Sequence, residues 1–326
     1  MNNKEKYYKF CIENNIEIFS QPWWLDITSG EDKWDVLLVE KGGSIQGALP
    51  YSFNKKKNTI NISQASLTPR NGILLNYPKN QKLTSKVSFE RKVIKELIEE
   101  LENLNLTNYN QNYNYNFNNW LPLYWNGFKQ TTRYSYIINY DSKWDEKDID
   151  STTRNLIRKA EKFVGISENI SIEEFYKINT MTYSRKGMVN PYSMDLVKRL
   201  DNECVSRNCR KILCAKDNEG NIHAAIYLVW DNNSVYYLMG GVNPEFKSTN
   251  ATSMLLLNAI KFSLENELDF DFEGSMIESI EKFFSSFGAV RKEYYNISKG
   301  YKVNFRSIIS DVINNSKSLR RIIKRR

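Results

Sequence analysis

Apolar residues recur along this chain with two different periods, and the switch between them marks its elements. At 268–273, Leu268, Phe270 and Phe272 alternate with Asp269, Asp271 and Glu273, the period of a strand with one acidic face. Just before it, Met254, Leu255, Leu257, Ile260 and Leu264 recur at helical spacing. That spacing predicts an amphipathic helix over 251–266, with Ser248, Thr249 and Asn250 as candidate N-caps. Tyr236, Tyr237, Leu238 and Met239 form a β-rich run, which Gly240 and Gly241 are expected to end in a turn. Residues 277–287 return to helical spacing. Strand, polar loop, helix, acidic strand and helix therefore organise the second half.

Upstream, 4–15 reads as a helix. Trp23 and Trp24 follow Pro22 as the start of another, pinned on a core or walling a cleft. Strands are expected at 34–40 and 45–53 around the turn Lys41-Gly42-Gly43-Ser44, then at 60–66 and 73–75. A helix over 85–103 is expected to bury Val87, Val93, Ile94, Leu97, Ile98 and Leu101. At 107–117, Tyr109, Tyr113, Tyr115 and Phe117 share one face of an asparagine-rich strand. A Ser or Thr cap after Asp150 opens a helix that sets Arg154, Arg158 and Lys162 on one face. Further helices are expected at 171–185 and 196–209.

Two patterns return. The hairpin of 39–51 has a counterpart at 215–227, Ile45 mapping onto Ile222. The helix, glycine and strand of 120–138 reappear at 280–297, Gly127 mapping onto Gly288. Their shared order predicts a duplicated domain. The units are 1–140, 141–305 and a basic tail, 306–326. The fold class is α/β, each half a mixed twisted sheet flanked by helices.

Composition narrows the picture. The chain is 41% hydrophobic and 26% charged, as ordinary globular proteins are. No apolar run approaches the ~18 residues of a membrane span, and the first residues lack a signal peptide's apolar centre. A cytoplasmic protein is expected. Cys204, Cys209 and Cys214 are not spaced as the pairs of a zinc site, and His223 is the only histidine, so no metal is expected. His223 itself is expected partly exposed at a strand end. The net charge is +8, of which 306–326 carries +6 and the remainder +2. The tail can touch anionic lipid or RNA weakly, or lie solvated; a broad nucleic-acid-binding face is not expected.

The loop after Gly241 carries chemistry. A helix start leaves unpaired N–H groups and a positive dipole end, which suit phosphate. Lys247 adds a charge there. Most helix starts bind only water, and that reading stays open.

At this point the second half resembles a GNAT acyltransferase domain. Residues 280–289 are similar to the Ala-x-x-Phe-Tyr-x-x-x-Gly-Phe segment of that superfamily. The tandem arrangement, together with 153–160 and 271–275, resembles the FemAB-like branch, in which two GNAT-like domains form one molecule. The resemblance covers nearly all of 16–300. It implies an N-acyltransferase. Peptidoglycan-bridge members use aminoacyl-tRNA; others, the FdhC type, use acyl-CoA and acylate an amino sugar on a nucleoside diphosphate for surface polysaccharide. The barely basic body and the lack of a heptad arm favour acyl-CoA and a nucleotide-linked, dTDP-type, amino sugar. The alternatives are an aminoacyl-tRNA donor and a non-catalytic binding module on the same scaffold.

The resemblance assigns the coenzyme A donor to Met239, Gly240, Gly241, Lys247, Ser248, Thr249, Asn250 and Thr252, with a backbone N–H near Met239 to Gly241 for the oxyanion. Glu273, then Asp271, are the candidate bases, or else bind sugar hydroxyls. Arg154, Arg158, Tyr183, Arg185 and Trp23 form the candidate acceptor side, the arginines on the diphosphate. Two positions depart from the family. Residues 247–252 stand where Arg/Gln-x-x-Gly-x-Gly/Ala is usual, and Phe284 replaces a tyrosine often used as general acid.

Overall fold

One continuous sheet carries both halves of the chain in the computed structural model, which describes residues 1–301. The basic stretch 306–326 lies outside the described residues. The first half runs α1 (Asn3–Glu13), α2 (Pro22–Thr28), the hairpin β1 (Trp34–Lys41) and β2 (Ser44–Lys56), β3 (Thr59–Ser63), β4 (Leu74–Leu75), α3 (Leu83–Glu102), β5 (Leu106–Asn112), α4 (Leu121–Trp125) and β6 (Lys129–Ile138). The second runs α5 (Ser151–Ala160), β7 (Gly165–Ser167), α6 (Ile172–Ser184), α7 (Met194–Ser206), the hairpin β8 (Arg210–Lys216) and β9 (Ile222–Trp230), β10 (Ser234–Val242), α8 (Ala251–Glu265), β11 (Asp269–Asp271), α9 (Glu278–Ser285) and β12 (Val290–Gly300). Among the described residues, no helix is long and apolar enough to cross a membrane.

The strand order is β1-β2-β3-β5-β12-β6-β11-β10-β9-β8-β7, with β4 beside β2. Each half has given its last strand to the other. β12 pairs antiparallel with β5 and β6, and β6 pairs antiparallel with β11. In the second half, α5, α8 and α9 cover one face through Ile157, Leu255, Phe272 and Phe284. The opposite face carries α2, α6 and α7 on Trp24, Phe175, Leu200 and Tyr236. In the first half α3 packs Val93, Ile94 and Leu97 on the β1–β2 hairpin.

Four local expectations are corrected. Gly240 and Gly241 lie inside β10, and neither has a positive φ. Their use is close approach. A Cβ on Gly241 would fall 2.5 Å from the backbone of Ile178 and Asn179 in α6. One on Gly240 would fall 1.9 Å from the Tyr237 hydroxyl. The aromatic strand of 107–117 stops at Asn112, and the chain leaves the sheet after Tyr113. Asp150 caps α5, its carboxylate accepting from the N–H of Thr152 and Thr153. His223 is buried rather than exposed, at 4%.

Gly241→Ala is expected to lower the unfolding free energy by about 3 kcal/mol, because the backbone of α6 cannot give way locally. Gly165→Ala, with no atom in the way, serves as the near-neutral control. Parallel denaturant titrations compare the two.

Candidate functional site

The site begins where two strands part. β10 and β11 pair in parallel through Ser234–Asp269, Val235–Phe270 and Tyr236–Asp271, and then diverge. Beyond the last pair, β10 carries a register shift between Tyr237 and Met239. Phe272, Phe284 and Tyr237 pack together on the α9 side of the opening. The end of β10 is fixed by α6: Asn179 donates to the Gly240 carbonyl, and the Val242 N–H donates to Thr182. Tyr183 of the same helix neighbours Tyr237.

β10 leads into a 3-10 turn, Pro244–Thr249, and then α8. Asn250 is the N-cap, in the left-handed region at φ 55° and ψ 31°. This answers the departure in sequence. Asparagine tolerates that conformation without glycine's full freedom. It stands where the family pattern has its first glycine. The Asn250 side chain makes no cap, and the N–H groups of Ala251 and Thr252 make no hydrogen bond among the described residues. Lys247 and Ser248 are exposed beside them. His223 braces the turn from below. Its ring stacks on Phe246 at 4.0 Å, with one nitrogen 3.0 Å from Asp217 Oδ2 and the other 3.3 Å from Thr249 Oγ1.

On the far side of the parting strands lies an ion cluster that the sequence did not reveal. Arg70 is fully buried. Its guanidinium lies 2.7 Å from Asp271 Oδ2, 3.1 Å from Glu273 Oε2 and 3.9 Å from Glu17 Oε1. The rings of Tyr115 and Tyr294 flank it at 5.0 and 5.5 Å. The loop that presents it is tied down by Gln64 on the Thr68 carbonyl and Asn112 on the Pro69 carbonyl. The only hint in sequence is that Arg70 is the sole charged residue of 58–78.

Asp271 and Glu273, the expected bases, belong to this cluster. Asp271 is 0% exposed, and its oxygens are taken by Arg70, the Ser135 hydroxyl and the Glu273 N–H. Fully buried and with both oxygens engaged, Asp271 is not the open base expected there. Glu273, at φ 63°, grips Arg70 with both oxygens. Burial pushes its carboxyl well above the usual range, and Arg70 opposes that. Burial likewise pushes Glu17 up to about 7, with Arg70 pulling it back and Asp231 adding to the rise. Asn114 donates to Glu17, and the Tyr236 hydroxyl is shared between Asp231 at 3.0 Å and Glu17 at 3.2 Å.

The expected acceptor side does not assemble. Arg154 and Arg158 ride on α5, over one face of the sheet, while Trp23, Tyr183 and Arg185 belong to α2 and α6 over the other. Arg154 is spent on the carbonyls of Lys147 and Ile149. Trp23 lies under the Arg207 guanidinium at 4.6 Å. Arg185 is exposed just past α6. Arg158 stays exposed on a helix that packs along α8 and touches the 244–249 turn.

Residues 148–276 match the family described as acetyltransferase (GNAT) domain. Among solved structures the chain is similar to FemX (13% identity, 90% of this chain and 96% of that one, TM-score 0.67). It is similar to L-PGS from Bacillus licheniformis (12%, 98% and 97%, TM-score 0.53). A tandem GNAT protein from the clavulanic acid biosynthesis pathway also matches (10%, 82% and 82%, TM-score 0.51). At these identities the likeness is one of fold. No curated protein matches the sequence.

Arg70→Met leaves buried carboxylates without their cation, and a loss of about 3–5 kcal/mol in unfolding free energy is expected. Stability also carries a pH signature. Glu17 has a folded value above its ordinary 4.5, so the folded state holds the extra proton. Its contribution is complete below about 4.5 and is lost as pH rises through about 7. Glu17→Gln should flatten that part of a stability–pH curve, read by chemical denaturation across pH 4.5 to 8.

Proposed function

We propose that this member of the tandem GNAT, FemAB-like family transfers an acyl group from coenzyme A to the amino group of a nucleoside-diphosphate-linked amino sugar, for surface polysaccharide. One observation carries the donor half of that reading: the unengaged N–H groups of Ala251 and Thr252. A diphosphate there meets two free donors and the positive end of a fifteen-residue helix. Lys247 and Arg158 supply mobile charge at its edge. The pantetheine arm then runs along β10 toward the parting of β10 and β11, as strand-like amides allow.

The reaction is direct. The neutral amine attacks the thioester carbonyl, a C–N bond forms, the C–S bond breaks, and the leaving thiolate gains the proton that the attacking nitrogen gives up. The amine of a sugar ring is less basic than lysine, so positioning accounts for much of the rate. Phe284 has no hydroxyl to give the thiolate. Tyr237, packed on it across the opening, brings one to Gly240. Asp271 and Glu273 fix the floor of the site through Arg70 rather than move the proton.

A second reading, an aminoacyl-tRNA donor as in peptidoglycan-bridge enzymes, is favoured by the strongly basic 306–326. A thermal-shift titration separates the two. Coenzyme A at about 100 times its dissociation constant adds ~2.7 kcal/mol to the folded state. A rise of several degrees in Tm supports the acyl-CoA donor; a flat response, with tRNA retarded in a gel, replaces it by the second reading. His223→Ala frees the 244–249 turn and should weaken coenzyme A binding by about tenfold, with little change in activity at saturating donor.

A further inference from the structure

The first half holds a cavity of about 420 Å³ that the donor reading leaves unused. Its walls come from α1, the strand β4, the 113–119 loop and the start of β10. Three properties of that lining define what fits. Among the described residues it contains no lysine, arginine or histidine, in a chain of net charge +8. Its ionisable carboxylates are two, Glu17 and Glu90. The rest is largely side-chain amide and aromatic ring.

An anion is therefore the wrong guest. A diphosphate here would face two carboxylates and no cation, so the phosphates of a substrate must stay outside. Amide side chains suit hydroxyl groups, because each offers both a donor and an acceptor. Aromatic faces such as Phe117 and Tyr115 suit the apolar side of a sugar ring.

The two carboxylates are not equivalent. Glu90 has both oxygens satisfied, by Tyr77 and Asn119. Glu17 keeps spare lone pairs and lies nine-tenths buried, with 10% of its side chain exposed. The groups around it are Arg70, Asp231, Asp271, Glu273, Asn114 and Tyr236, which leave an excess of acid. Arg70 is shared with two closer carboxylates. An incoming ammonium would be the cation that Glu17 lacks. Tyr236 is the last β10 residue paired with β11 before the strands part, and it donates to Glu17. The cavity thus abuts the place where the acyl group is expected.

We propose that this cavity is the seat of a polyhydroxylated amine, with Glu17 binding its ammonium group and the amides of Asn116 and Asn118 facing its hydroxyls. This deepens the reading above by giving the acceptor its own pocket, apart from the donor's diphosphate. The side chains of Asn116 and Asn118 make no hydrogen bond among the described residues and stand exposed at the rim.

The test uses the full chain and three probes, glucosamine, glucose and N-acetylglucosamine, each at tens of millimolar in thermal shift. Glucosamine is expected to raise Tm by about 2–4 °C, and the two sugars without a free amine by much less. The glucosamine response should vanish in Glu17→Gln and shrink in Asn118→Phe, which narrows the rim at an exposed position and leaves the fold intact. The coenzyme A response of both variants should match the parent. Equal shifts from glucose and glucosamine, or a glucosamine shift that survives both substitutions, overturn the proposal. A coenzyme A shift with no glucosamine shift also overturns it and leaves the acyl-donor reading standing. A glucosamine shift with no coenzyme A shift does the reverse.

Discussion

A single guanidinium holds this molecule's centre. Arg70 comes from the first half, and Asp271 and Glu273 come from the second, so the ion cluster is a contact between the two units. Burying a cation among carboxylates is costly unless geometry is good and the remaining lone pairs are met. At Asp271 the Ser135 hydroxyl and the Glu273 N–H meet them, while Tyr236 and Asn114 reach Glu17 and leave it lone pairs to spare. The cluster is better understood as fixing the angle at which β10 and β11 part than as adding stability. With Glu273 pinned at a positive φ, the chain after β11 must turn away, and Gly274 follows it under the β6 backbone with no room for a Cβ.

Much of the fold was legible because it was periodic. The two hairpins, the helix 251–266 and the long helix before β5 announce themselves by spacing alone, and the repeat follows from comparing them. Spacing says which face of a strand is apolar. It does not say which strand lies alongside, so the exchange of β6 and β12 had no local signal. The same limit hid Arg70, whose hydrogen-bonded carboxylates Asp271 and Glu273 are more than two hundred residues away in sequence. The acidic alternation at 268–273 was correct about the strand and misleading about its use. Asp271 and Glu273 point at an arginine, and Asp269 accepts from the Tyr140 N–H.

Glycine and asparagine also exchanged the roles that composition suggests. Gly240 and Gly241 look like a turn and are a site of close packing. Asn250 looks like an ordinary cap and holds a left-handed backbone between the 244–249 turn and α8. Both cases depend on what packs against the residue, which a single sequence does not carry. The acceptor side failed for a related reason. Arg154, Arg158, Tyr183 and Trp23 are all basic or aromatic residues near helix ends, but the sheet runs between them.

The interleaving of β12 between β5 and β6 bears on how the chain is made. Asn296 reaches Asn112 across 184 residues. As the polypeptide leaves the ribosome, its leading portion therefore waits with one side of β5 uncovered until nearly all of the rest has emerged. Cutting the gene between β6 and α5 would yield two fragments, each missing a strand neighbour that only the other encodes. The two halves complete one another, and the sheet closes only when both are made.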